Sequence, residues 1–304
     1  MEGTGLIVQA ARRDVRATAR LGNLPRKLAF ADGGCFETSD NDAIDAMLAP
    51  RGIIHRLEKS WRAVLASLLL AMAAITTFAF YGAPWAAGAM ARHTPDRVAR
   101  LSSQQTLSIL DGRLLQPSRL PVARRAAIEA LFREVARKAP RGQDGYRLLL
   151  RHAPAIGPNA FALPDGAIVA TDQLVAFAHK GAELQGIFAH EMAHVDRTHG
   201  LQRIYQASLV PAAVAFITGD ISQVGQIAVI LPGILLQSAY SRTFETEADD
   251  DAAALMRRMG QSPAPLADIL DRIEAKMCAR AQCMPSLLGS HPVTRERAAR
   301  LRAS

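Results

Sequence analysis

His190 and His194 stand four residues apart in the run His190-Glu191-Met192-Ala193-His194. On an α-helix that interval is close to one turn, so both imidazoles project from one face and can reach one point. Neutral imidazole is a good ligand for zinc and similar ions. A carboxylate beside such an ion can take a proton from water, which makes Glu191 a candidate general base. Two histidines at helical spacing also occur as ordinary surface residues, so the pattern needs a third ligand.

One known arrangement supplies that ligand as a third histidine in the pattern HExxHxxGxxH. Here Arg197 fills the glycine position and Gly200 the last histidine position, so that arrangement fails. His199 is out of register for it and reads as an outer-shell or surface histidine. The other arrangement takes a glutamate from a later helix. The run Ser241-Arg242-Thr243-Phe244-Glu245-Thr246-Glu247-Ala248-Asp249 suits a helix start, where acidic side chains meet the positive end of the dipole. Glu245 and Asp249 are four apart, on one face. Glu245 can then bind a metal while Asp249 accepts a hydrogen bond from a ligand histidine. The same acids could serve only to open the helix.

Several elements must position these groups. Leu184, Ile187 and Phe188 give the motif helix something to bury, and Gly200 reads as its C-terminal stop. Upstream, Ser118 reads as an N-cap with Pro121 in the first turns, and Ile128, Leu131, Phe132 and Val135 recur at helical spacing. Residues 146–150 read as a strand. Residues 160–163 and 167–171 flank Pro164-Asp165-Gly166, which predicts a hairpin. Helices around a small sheet make this an α+β domain.

No charged residue occurs over 63–91, and its strongest part, 63–81, is long enough to cross a bilayer as a helix. Trp61 and Arg62 at one end, with Tyr81, Trp85 and Arg92 toward the other, suit interfacial anchoring. The chain thus divides into a small N-terminal domain (1–60), a transmembrane anchor (61–91) and a main domain (92–304). In the first, residues 16–21 and 27–30 read as strands, Asp32-Gly33-Gly34 as a turn and 41–48 as a helix. Basic residues flank the anchor equally, so charge does not orient it. The cysteines favour a reducing side for lone Cys35 and an oxidising side for Cys278 and Cys283, close enough to bridge. The uncharged stretches 204–219 and 221–240 are broken by Pro211, Gly219, Pro232 and Gly233. They read as short helices on the main domain or bilayer surface rather than as a membrane hairpin.

With 36 Lys and Arg against 28 Asp and Glu, the chain carries a net charge of +8, scattered and accompanied by only 5% aromatic residues. No basic stripe of the kind that binds nucleic acid emerges, so that partner is not expected. Three cysteines are too few for a disulfide scaffold.

Together, His190-Glu191-Met192-Ala193-His194 and the Ser241–Asp249 run resemble a family of zinc metalloendopeptidases. Its members include the type 1 CAAX prenyl protease, HtpX, BepA and Oma-like peptidases. Asn159-Ala160-Phe161-Ala162-Leu163-Pro164, His291-Pro292 and Arg297 match further family segments in order, so that the resemblance covers roughly 101–301. It implies a mostly helical, zincin-like domain of gluzincin type and a single-pass bacterial subgroup. It implies one Zn2+ per chain on His190, His194 and Glu245, with Glu191 catalytic and Asp249 behind a ligand histidine. His291, Arg242 and Arg297 become candidate oxyanion donors, and His291 could instead occupy the metal's open position. Residues Asn159, Ala160, Phe161 and Ala162 would pair with an extended protein or peptide substrate. The implied setting is a bacterial inner membrane with the catalytic domain in the periplasm, acting in envelope protein quality control. A chaperone or assembly factor that binds extended segments and seldom cleaves is the competing expectation.

Overall fold

The computed structural model describes residues 9–11, 14–48, 61–218, 241–278 and 295–303. The chain divides into two compact units, residues 1–74 and 75–304.

In the first unit, β1 (Val15–Ala17), β2 (Arg26–Phe30) and β3 (Cys35–Thr38) form an antiparallel sheet in sequence order. Asp32, Gly33 and Gly34 make the predicted turn between β2 and β3, with the Asp32 carboxylate accepting from the Gly34 N–H at 2.9 Å. Helix α1 (Asn41–Leu48) coincides with the predicted helix. Asp45 ties it to the sheet, accepting from Arg26 and Arg20 at 2.6 Å each.

A continuous apolar helix follows. It consists of α2 (Trp61–Thr77), one π-turn (Phe78–Gly82) and α3 (Ala83–Arg92). The 29 residues from Val64 to Arg92 qualify as a membrane span by length and composition. Large apolar side chains along it lie open, Leu70 being 72% and Trp85 75% exposed. A soluble core helix would bury such a surface. From residue 83 the helix changes character: Ala83, Ala87 and Ala91 are buried. Gln116–Pro117 (β4) is reached through α4 (Asp96–Asp111).

The second unit is built on β4, β5 (Arg147–His152), β6 (Ala160–Ala162) and β7 (Ala167–Thr171), in the spatial order β4-β5-β7-β6. The predicted hairpin is present, with Phe161 opposite Val169. β5 runs parallel to β7, so the chain crosses between them, a pairing that no local pattern announces. Gly166 adopts φ +88°, and an added Cβ would stand 2.5 Å from the Gly145 carbonyl, so only glycine fits this turn.

Helices α5 (Val122–Lys138), α6 (Asp172–Phe177), α7 (Gly181–Asp196), α8 (His199–Thr218), α9 (Arg242–Arg258), α10 (Ala264–Cys278) and α11 (Arg295–Ala303) complete it. Ile128, Phe132 and Val135 of α5 are buried as predicted, and Phe132 meets Phe188 of α7 edge to face at 5.3 Å. Ser118 is not the cap of α5: Pro121 is, and the Ser118 hydroxyl donates to Asp172 at 2.6 Å. Residues 183–195 of α7 are all buried, making it the central helix of the core. It approaches α10 so closely that a Cβ on Gly186 would lie 2.8 Å from that of Leu266.

Gly200 does not stop α7. The helix ends at Asp196, Thr198 turns the chain at φ +55°, and α8 begins at His199 with Gly200 inside it. A left-handed β-branched residue costs on the order of 1–3 kcal/mol, which the surrounding contacts must offset. Within 204–240, α8 continues to Thr218 and packs its first turns on α3 through Ala91, Leu201 and Ile204. Residues 219–240, Cys283 and the Cys278 side chain lie outside the described residues.

Candidate metal centre

Helices α7 and α9 lie directly along one another, and the site forms between them. His190 and His194 project one turn apart from α7. Opposite them, α9 opens at Ser241, whose hydroxyl accepts from the Phe244 N–H at 3.2 Å, and Glu245 falls in its first turn. His190, His194 and Glu245 are all buried, with ligand atoms close enough to share an ion.

The triangle they make has definite dimensions. The two Nε2 atoms are 3.0 Å apart; that of His190 lies 3.6 Å from Glu245 Oε2 and that of His194 3.6 Å from Glu245 Oε1. Ligands about 2.0–2.1 Å from one ion in tetrahedral array stand about 3.3 Å from each other. The observed edges bracket that value.

Protonation follows from the surroundings. His190 Nδ1 lies 3.1 Å from Asp249 Oδ1, so the carboxylate holds the proton on Nδ1 and leaves Nε2 as a lone pair. His199, fully buried at the start of α8, donates from Nε2 to Glu247 at 3.1 Å. Its Nδ1 is then an acceptor, and His194 Nδ1 donates to it at 2.9 Å. His194 Nε2 is thereby also a lone pair. Two Nε2 atoms 3.0 Å apart need a positive charge between them, a proton in the metal-free protein or a bound cation in its place.

The charge around them agrees. Arg297 of α11 donates from Nε and Nη2 to Asp249 at 2.7 and 2.8 Å, and its Nη1 lies 2.7 Å from Glu245. Two buried carboxylates thus face one guanidinium, a formal −1 before Glu191 is counted. Burial presses the His190 imidazole toward neutrality, yet Asp249 and Glu245 outweigh it and raise its proton affinity. Burial likewise opposes the Asp249 charge, but Arg297 and His190 hold its carboxyl below the usual range. Burial dominates at His199 and takes its pKa down to about 4, so the ring is neutral near pH 7. The residues fit a divalent ion in both spacing and charge.

Other expected residues fall as follows. Glu191 is buried beside His190 on α7. Asn159 and β6, as Ala160–Ala162, lie at one edge of the sheet, with β6 against α7. Arg242 is exposed at the start of α9. Arg297 departs from the oxyanion expectation: its guanidinium is committed to Asp249 and Glu245, because a buried cation is drawn to the two acids nearest it. His291 lies outside the described residues. Sequence reasoning gave Glu247 no role, since two residues from Glu245 it sits on another side of the helix. Only the α7–α8 turn brings His199 to it.

The sequence profile of peptidase family M48 matches residues 122–304, and residues 1–51 match a domain of unknown function (DUF7092). A protease HtpX homolog from Acaryochloris marina is 27% identical over 241 residues, 66% of this chain and 78% of the relative. Metalloprotease LoiP from Escherichia coli is 32% identical over 148 residues, 47% of this chain and 57% of LoiP. Mitochondrial metalloendopeptidase OMA1 from Schizosaccharomyces pombe is 26% identical over 140 residues, 46% of this chain and 41% of OMA1. The chain therefore spans little more than half of LoiP and less than half of OMA1. The family profile covers more than half of the chain, across the helices that carry His190, His194, Glu245 and Arg297, and the chain belongs to peptidase family M48.

Proposed function

We propose that the chain is a membrane-anchored zinc metalloendopeptidase that hydrolyses peptide bonds in misfolded or misassembled envelope proteins. The observation that carries this reading is the convergence of His190 Nε2, His194 Nε2 and Glu245 on one point.

His190, His194 and Glu245 would hold the zinc ion, one per chain, with Asp249 and Arg297 fixing the ligand side chains from behind. Bound there, zinc would supply Lewis-acid polarisation of a scissile carbonyl and activation of water. Glu191, adjacent in sequence to the first ligand, takes the proton of the attacking water and returns it to the leaving amine nitrogen. β6 lies at an edge of its sheet and against the motif helix, which suits backbone pairing of Asn159, Ala160, Phe161 and Ala162 with an extended substrate. Arg242 and His291 remain the oxyanion donors of this scheme.

The exposed apolar helix supports a single-pass anchor, with residues 1–60 forming a separate N-terminal domain and 92–304 the peptidase domain. A bacterial inner membrane with the peptidase domain in the periplasm completes the reading. Zinc content and cleavage of an unfolded protein test it, on wild type and Glu191→Gln. Both proteins should bind one zinc, and only wild type should cleave. Equal cleavage removes Glu191 from the chemistry, and absence of zinc from both removes the metal centre.

A further inference from the structure

The assembly behind His194 is more elaborate than binding a metal through three side chains requires. His199 is fully buried, accepts from His194 at 2.9 Å and donates to Glu247 at 3.1 Å. Its ring stacks on Phe244 at 4.2 Å with the planes 10° apart. Arg197 in turn lies 3.3 Å from Glu247 and donates to Asp251 at 3.1 Å, tying the turn before His199 to α9. The ring reaches this position because Thr198 takes φ +55°, a conformation that a β-branched residue rarely adopts. Helix α9 therefore touches the centre three times, directly with Glu245, behind His190 with Asp249, and through Glu247 and Phe244 by way of His199.

We propose that His199 is a positioning residue of the metal centre, keeping the His194 proton on Nδ1 and so the Nε2 lone pair aimed at the ion. This rests on the metallopeptidase reading above. Without an acceptor at Nδ1, the neutral imidazole gains by moving its proton to Nε2, where it blocks coordination. It can also rotate away to find another partner. Glu247 acts one step further out: it draws the His199 proton to Nε2 and leaves Nδ1 free to accept. Partners of ligand histidines at this remove commonly change metal affinity about 10- to 100-fold.

The test uses the full chain in detergent micelles, with the zinc dissociation constant read by competition against a chromophoric chelator. His199→Phe, which keeps an aromatic ring on Phe244 but accepts nothing, should raise the constant about 10- to 100-fold. His199→Asn, whose amide oxygen takes the place of the ring Nδ1, should recover most of the loss. Glu247→Ala should weaken zinc in the same direction, and its partly exposed side chain makes it the deciding variant if His199→Phe does not fold. Nitrogen-15 shifts of His194 in the metal-free protein should report Nδ1–H in wild type and a tautomer mixture in His199→Phe. Wild-type zinc affinity in folded His199→Phe or Glu247→Ala overturns the proposal. So does an Asn variant no better than Phe, which would mark the effect as packing. A wild type that binds no zinc overturns the metallopeptidase reading as well, and so is told apart from failure of this inference alone.

Discussion

Replacing Arg297 by Met should destabilise the metal-free protein, by an amount set by what is left behind. The guanidinium makes contacts of 2.7, 2.8 and 2.7 Å with Asp249 and Glu245, both fully buried. Removing one partner of a buried ion pair typically costs about 3–5 kcal/mol. There is also a ceiling. A stranded carboxylate can take up a proton instead, which at pH 7 costs about 1.36 kcal/mol for each of roughly three pH units, or about 4 kcal/mol. Both routes agree on about 3–5 kcal/mol. For a unit of this size that lowers the melting temperature by roughly 6–20 °C. The escape route gives the penalty a pH signature. In wild type, the depressed Asp249 pKa adds stability above the ordinary carboxylate range that is lost as pH falls through its folded value. In the variant the folded pKa rises, so the penalty is full at pH 7 and should shrink by up to about 2.7 kcal/mol at pH 5. The assay is calorimetry on chelator-treated protein at both pH values. A variant melting within about 2 °C of wild type at pH 7, or penalised equally at pH 5, would refute the reasoning.

Three further outcomes are expected. Gly166→Ala forces a side chain into φ +88° and against the Gly145 carbonyl, and should cost more than about 1 kcal/mol by urea titration. Phe188→Ala leaves a cavity beside Phe132 in the middle of the core and should cost about 3–5 kcal/mol in the same titration. Chelation should abolish cleavage of an unfolded substrate and lower the melting temperature, and zinc at about 100 times its dissociation constant should restore about 2.7 kcal/mol.

Much of this arrangement is legible from residue spacing. His190, His194 and Glu245 meet because two one-turn intervals and a good N-cap at Ser241 impose helices whose faces are readable. Asp249, four residues past Glu245, follows from the same periodicity. The β6–β7 hairpin is announced by Asp165-Gly166, where only a positive φ closes the turn. What spacing does not carry is tertiary. The parallel partner of β7 comes from residues 147–152, beyond any local signal. The resemblance singles out Arg297 as an oxyanion donor, and only the packed structure shows it committed to two buried acids. The end of α7 departs from the glycine signal because Gly200 is the residue that prefers a left-handed turn, whereas Thr198 adopts it.

Arg297 also bears on the order in which the chain becomes competent during synthesis. Its partners on α9 precede it by 48 residues in the case of Asp249, and the motif helix comes earlier still. A ribosome releases α7 first, then α9, and only afterwards the strand of chain that neutralises them. Until residue 297 has emerged, the growing polypeptide holds two uncompensated acids in what must become a dry interior, and α9 has reason to stay undocked. Completion of the buried ion-pair cluster therefore waits on α11, the last of the described helices to be made.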